Sequence, residues 1–205
     1  MSKEVEAKFR LKIKPDFLRD GKEISQTYLD FQNNDLVKEK IKETFGEVDL
    51  GTINESRVRV KGTVENLKYF LTLKGDGTLE RDEHEEEIEK DLFNELLAEG
   101  TLGQISKIRY EIALKDGLTA EIDEYREKLE GLIVAEVEFD KNKFSFDDIN
   151  ARVLDVIPDA QDVTEIKAYK NTELAELESL EELELKVRKE SEEKLNETQN
   201  DLPRI

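Results

Sequence analysis

An antiparallel α+β fold is what this sequence predicts, on three observations. Eight segments alternate apolar and polar residues with a period of two. Three or four others carry helical spacing with capping residues. Strand-like and helix-like segments do not alternate as βαβ units. Eight strands is also the number that closes into a barrel just wide enough for side chains or one small ligand.

The elements follow in order. Residues 3–13 alternate strictly, with Val5, Ala7, Phe9, Leu11 and Ile13 against Glu4, Glu6, Lys8, Arg10 and Lys12. Residues 26–31 are a second β-prone run. Asn34 or Asp35 then caps a helix with Val37, Ile41 and Phe45 at four-residue spacing, ended by Gly46. Strands are expected at 56–62 and 67–74, and Gly75-Asp76-Gly77 turns the chain into a strand over 79–88. A helix over 90–99 places Leu92, Phe93, Leu96 and Leu97 on one side and stops at Gly100. Strands over 106–114, 118–125 and 132–139 form a meander. Ser145, with Asp148 three residues later, starts a helix that stops before Pro158. From 171 to about 200 the chain is acidic and helical, with a narrow stripe of Leu174, Leu177, Leu180, Leu183 and Val187.

Composition removes several function classes. The 205 residues hold no Cys and one His, which excludes disulfide scaffolds, thiol nucleophiles and multi-histidine metal sites. No apolar run approaches the roughly 20 residues of a membrane span, and Met1–Phe9 lacks the apolar core of a signal peptide. A cytoplasmic protein without a membrane partner is therefore expected. Its 51 acidic and 32 basic residues give a net charge of −19, which argues against a nucleic-acid partner.

The second face of each strand is charged. Glu4, Glu6 and Lys8 share a face, as do Arg57, Arg59 and Lys61. The same holds for Arg81, Glu83, Glu85 and Glu87, for Lys107, Arg109 and Glu111, for Glu121 and Asp123, and for Glu136 and Glu138. An open sheet with one solvated face accounts for this pattern. So does a closed barrel in which these faces converge. Buried charges must then be paired or bound to metal. Clustered carboxylates would hold a hard cation such as Mg²⁺ or Mn²⁺, and clustered Arg and Lys a multiply charged anion. A metal between the carboxylates and the anion would offset their repulsion.

The motifs carrying these charges resemble, in order, those of the CYTH superfamily, the triphosphate tunnel metalloenzymes. They are Glu4-Val5-Glu6-Ala7-Lys8-Phe9, Gln26-Thr27-Tyr28-Leu29, Arg57-Val58-Arg59-Val60 and Phe70 to Gly75. Arg81 to Ile88, Ser106 to Tyr110, Glu121 with Asp123, and Leu132 to Glu138 follow. Asp162-Val163-Thr164, Lys167, Tyr169, Asn171, Leu174 and Ala175 complete the set. The match covers residues 3–175, and the acidic helix over 176–205 is an extension. The resemblance implies a closed eight-stranded antiparallel tunnel with flanking helices. It implies that Glu4, Glu6, Glu136 and Glu138 ligate Mg²⁺ or Mn²⁺, and that Lys8, Arg57, Arg59, Lys74 and Arg109 contact phosphate. Lys107, Glu85, Asp123 and Lys167 match further tunnel-lining positions, with Glu85 a candidate base. The chain departs from the family pattern in an insertion of about 25 residues between Leu29 and Arg57, in His84, read as an outward-facing surface residue, and in Ala168.

The family includes inorganic, thiamine and RNA triphosphatases and class IV adenylate cyclases, so the fold alone does not choose the activity. The ending from Asp162 to Ala175 resembles the compact bacterial triphosphatase branch. The chain has no Trp to stack on a thiamine ring, and its charge disfavours a long RNA. Hydrolysis of inorganic tripolyphosphate is therefore expected first, and of a nucleoside triphosphate held by its phosphates second. The alternatives are a cyclase, a thiamine triphosphatase and a non-catalytic polyphosphate-binding module. The Leu stripe of the extension would pack on the barrel wall or on a partner helix, which allows a homodimer.

Overall fold

The computed structural model describes residues 4–63, 66–75, 80–99 and 101–200; the side chains of residues 4, 63, 80, 81 and 196–200 are not described. Asp76 and Gly77 of the expected turn and Gly100 of the expected helix stop lie outside the described residues. Ten strands form one antiparallel sheet: β1 (Glu4–Leu11), β2 (Lys22–Leu29), β3 (Ile53–Thr63), β4 (Asn66–Gly75), β5 (Glu80–Arg81), β6 (Glu83–Ile88), β7 (Thr101–Ala113), β8 (Thr119–Tyr125), β9 (Ile133–Phe139) and β10 (Gln161–Asp162). The order is β10-β1-β9-β8-β7-β2-β3-β4-β6.

This α+β architecture matches the sequence expectation, with two more strands. The run expected over 79–88 divides at Asp82 into β5 and β6. β6 pairs with β4 at one end of the path, while β5 reaches β1 near the other through Glu4–Arg81 and Val5–Glu80. The sheet is thus not closed along its length, and its two ends meet at two residue pairs. The second addition, β10, is Gln161–Asp162, which pairs with Phe9 and Arg10 of β1 and runs into Val163 and Thr164. Thr164 Oγ1 accepts from the Lys8 amide at 3.0 Å and the Val163 amide donates to the Lys8 carbonyl at 2.9 Å, so this motif satisfies the edge of β1.

The apolar positions of the strands face outward, under helices. Val5, Ala7, Phe9 and Leu11 of β1 pack with Ala135 and Val137 of β9 and with Ile149 and Val153 of α3 (Phe146–Val156). Val58 of β3 and Leu71 and Leu73 of β4 pack with Val37 and Ile41 of α1 (Asp35–Phe45) and with Phe93 and Leu96 of α2 (Lys90–Ala98). The expected caps form. Asn34 Oδ1 accepts from the Leu36 and Val37 amides at 3.0 and 3.1 Å, and Ser145 and Asp148 make a reciprocal capping box. His84 turns to the outer side, edge-on to Phe45 at 6.3 Å between ring centroids.

The C-terminal helix expected from 171 to about 200 is two helices, α4 (Asn171–Glu176) and α5 (Leu180–Asn200). Leu177 is extended (φ −75°, ψ 149°). The chain restarts with the Glu182 amide donating to Ser179 Oγ at 3.4 Å and the Glu178 amide to Glu182 Oε2 at 2.8 Å. The break lets α4 enter the inner side of the sheet. Leu174 and Ala175 pack there with Tyr28, Ile105, Tyr125 and Val134, whose strand positions share the parity of the charged residues. Gly103 makes this possible: a Cβ there would sit 2.5 Å from the Ala175 carbonyl oxygen. Gly103→Ala is therefore expected to displace α4 and to cost about 1–3 kcal/mol, read as a lowered melting temperature. A variant as stable as the parent would contradict this packing.

Candidate functional site

The charged alternates of β1 to β4 and β6 to β9 line a cavity of about 500 Å³, within the size range of ligand pockets. Among the described residues its lining holds ten Lys and Arg against eight Glu. The wall is thus net basic in a chain whose net charge is −19. Tyr28, Ile105, Tyr125 and Val134, covered by α4, stop one end, and Lys170, Asn171 and Thr172 at the start of α4 join the lining.

β3 contributes Arg57 and Arg59. Arg57 pairs with Glu55 at 3.1 Å and Glu83 at 3.7 Å, and Arg59 pairs with Glu85. The Nε atoms of both arginines are buried without a hydrogen-bond partner among the described residues. Such donors are expensive to bury unless something accepts from them. Burial lowers the pKa of Arg59, and the adjacent Arg57 charge lowers it further. Burial likewise lowers that of Lys61, with Arg59 adding to the effect. These cations are crowded, and an anion would relieve them. Lys74 of β4 pairs with Glu83 at 2.6 Å, and Thr72 Oγ1 donates to Glu85 at 3.0 Å. Burial acts to raise the Glu85 pKa, but Arg59 and Thr72 outweigh it and hold it low.

β7, β8 and β9 build the opposite wall. Asp123 is fully buried and accepts from Lys107 and, in two bonds of 2.7 and 2.6 Å, from Arg109. Arg109 also reaches Glu121 and, at 3.1 Å, Glu136. Lys107 has a lowered pKa, because burial outweighs the attraction of Asp123. Burial pushes the Glu121 carboxyl up, against the pull of Arg109. Lys8 of β1 donates to both Glu6 and Glu136.

The structure thus brings Glu6, Lys8, Arg57, Arg59, Lys74, Glu85, Lys107, Arg109, Glu136 and Glu138 to one cavity, with Asp123 directly behind Lys107 and Arg109. The Glu4 side chain lies outside the described residues. Lys167 lies away from the cavity. It is exposed on a 3₁₀ turn over Lys167–Tyr169, and one turn later Lys170 occupies the lining. Residues that sequence reasoning left without a role are Gln26, Glu55, Glu83, Glu121, Lys170 and Asn171. Alternation along β2 and β3 would have found the first two, and it already sets Glu83 and Glu121 on charged faces without giving them a role. Asn171 accepts from Tyr125 at 2.6 Å and lies 3.5 Å from Glu136, a contact 35 residues apart in sequence.

Oxygen donors suit a hard divalent cation. Among the described residues, however, no three acidic or His side chains converge as a ready-made cluster. Lys8 holds Glu6 and Glu136. The register nonetheless sets Glu6 opposite Glu138 and Glu121 opposite Glu136. Like charges directly opposite each other are destabilising, and a cation between them would offset the repulsion. The residues fit such an ion by donor type and register.

No protein-family model and no curated protein matches the chain. Solved structures do. The chain is similar to a crystal structure of the hypothetical protein NE1496, at 30% identity and a TM-score of 0.55, covering 85% of this chain and 98% of that one. A second structure of NE1496, described as an inorganic triphosphatase, matches at 29% identity and a TM-score of 0.55, covering 87% and 98%. HpAC1 from Hippeastrum, an adenylyl cyclase candidate described as having a dominant triphosphatase activity, shares the fold at 17% identity and a TM-score of 0.51, covering 76% and 88%. Among the described residues no helix is long and apolar enough to cross a membrane.

Proposed function

The chain belongs to the CYTH superfamily of triphosphate tunnel metalloenzymes and is a triphosphatase, and on that premise we propose that it hydrolyses inorganic tripolyphosphate, releasing phosphate. A nucleoside triphosphate held by its phosphates is the second substrate class. One observation carries the reading: a net basic cavity with two buried, unpartnered arginine Nε donors inside a chain of net charge −19. Bulk electrostatics would not draw a polyanion to this surface, so the local field of the cavity must.

Arg57, Arg59 and Lys61 of β3 and Lys74 of the adjacent β4 would grip phosphate oxygens from one side, with Lys8 and Arg109 opposing them. We further infer that the β5–β1 pairing closes the sheet into a tunnel around the substrate. Phosphoryl transfer relies on positioning and charge neutralisation rather than covalent chemistry, and these cations supply both. Glu6 and Glu138, with Glu4 and Glu136, would hold a divalent cation, which supplies Lewis-acid neutralisation of phosphoryl oxygens when bound. Glu85 on β6 and Glu121 on β8, both on the cavity lining, would be the candidates to accept a proton from the attacking water.

Phosphate release is expected to require Mg²⁺ or Mn²⁺ and to fall to background in excess chelator. Glu138→Gln, which keeps shape and deletes a ligand charge, should remove most turnover without lowering the melting temperature. Undiminished turnover after exhaustive metal removal, or a Glu138→Gln variant as fast as the parent, would contradict the cation's role.

A further inference from the structure

Helix α5 lies outside the cavity, yet its contacts converge on the segment that enters it. Glu190 accepts two hydrogen bonds of 2.9 Å, from the Lys167 amide to Oε2 and from the Ala168 amide to Oε1. These two amides head the 3₁₀ turn Lys167–Tyr169, whose own N-cap, Ile166, makes no side-chain capping bond. A carboxylate there satisfies two donors at once and faces the positive end of the turn. The turn then passes directly into Lys170, Asn171 and Thr172, all on the cavity lining, with the Lys170 amide bonded back to the Lys167 carbonyl at 2.9 Å.

We propose that Glu190 is a positioning residue for the triphosphate cavity: by capping the Lys167–Tyr169 turn from α5 it sets where Lys170, Asn171 and Thr172 stand. Its kinetic consequence rests on reading the cavity as a triphosphate site. Asn171 is held between Tyr125 and Glu136 across the stopped end of the cavity. Rotation of the turn would move it off both partners and carry Lys170 from the lining toward the exposed position that Lys167 holds. The helix has further anchors around this point. Leu183 is fully buried, Lys194 donates to the Glu165 carbonyl at 2.9 Å, and Arg10 bridges Tyr169 and Glu184 at 3.1 Å each. Glu190 alone among these side chains bonds the amides that begin the turn. The helix can therefore remain docked when Glu190 is lost, and the effect falls on the turn.

The test compares Glu190→Ala, Glu190→Gln and Glu184→Ala with the full-length parent, well below their melting temperatures. Glu184→Ala removes an α5 anchor to Arg10 without touching the capped amides. Glu190→Ala should speed hydrogen exchange at amides 167–172 about tenfold or more. It should also raise KM for tripolyphosphate about five- to tenfold, with kcat within about twofold, because a lost binding contact acts on KM. Glu190→Gln, keeping one acceptor oxygen, should fall between. Glu184→Ala should match the parent in KM. A Glu190→Ala variant with parental exchange or parental KM overturns the proposal, as does a Glu184→Ala variant that reproduces the KM rise. A parent that releases no phosphate from tripolyphosphate counts against the triphosphatase reading alone, and the exchange measurement then decides the positioning role.

Discussion

Asp123→Ala is expected to lower stability by about 3–5 kcal/mol, the usual cost of removing one partner from a buried ion pair. Asp123 and the Lys107 side chain are both almost wholly inaccessible, at 0% and 1% exposure, and Arg109 spends two of its hydrogen bonds on the same carboxylate. Arg109 keeps Glu121 and Glu136 in the variant, whereas Lys107 loses the partner it is bonded to. For a chain of this size the loss corresponds to a fall of roughly 6–20 °C in melting temperature. The deficit should also depend on pH in a fixed direction. Lys107 already has a lowered pKa from burial, and without Asp123 it falls further. Above that folded-state value the buried lysine is neutral while the unfolded lysine is still charged. The unfolded state then binds more protons, so the variant's stability rises with pH and the deficit narrows until the pH passes the parent's own lowered Lys107 value. Thermal melts of parent and variant at neutral and alkaline pH check both parts. A deficit under about 1 kcal/mol at neutral pH would mean that this pair is hydrated.

Arg57→Ala and Arg59→Ala should each weaken tripolyphosphate binding about ten- to a hundredfold. Charge-assisted hydrogen bonds in a dry site contribute about 1.5–3 kcal/mol each, and every 1.4 kcal/mol is about tenfold in affinity. Both side chains are largely inaccessible, and each presents an Nε from which no group among the described residues accepts. Removing Arg59 also relieves its repulsion of Arg57 and Lys61. The Arg59→Ala protein should therefore be at least as stable as the parent when ligand-free, and should gain much less thermal stability from tripolyphosphate. Titration calorimetry and melts with added tripolyphosphate measure these effects. Affinity unchanged in both variants would mean that β3 does not hold the phosphates.

The sequence exposed the alternation of β1, β3 and β7 because one face had to be apolar to pack under helices and the other was fully charged. Residue type alone marked most of the cavity, since Glu6, Arg57, Arg59 and Glu85 repeat at period two. What pairs with what was not legible. The Lys107–Asp123–Arg109 group follows from the register of β7 against β8, and Glu6 opposite Glu138 from that of β1 against β9. Gly103 reads locally as a weak point in a strand, and its purpose, the approach of Ala175, lies 72 residues away along the chain. Lys167 and Lys170 are equally basic in sequence. A single 3₁₀ turn, fixed by Glu190, decides which one lines the cavity. The break between α4 and α5 carried a local signal, Ser179 with Glu182 three residues on, but the leucine stripe running through it masked the restart.

The central claim is that this cavity binds triphosphate and cleaves it. Phosphate release from inorganic tripolyphosphate, ATP, thiamine triphosphate and pyrophosphate, each with Mg²⁺ and with Mn²⁺, tests it most directly. The expected result is metal-dependent release that is fastest from tripolyphosphate, slower from ATP and absent from pyrophosphate, with no cyclic AMP formed. Tight binding of tripolyphosphate without release, or conversion of ATP to cyclic AMP and pyrophosphate, would contradict it.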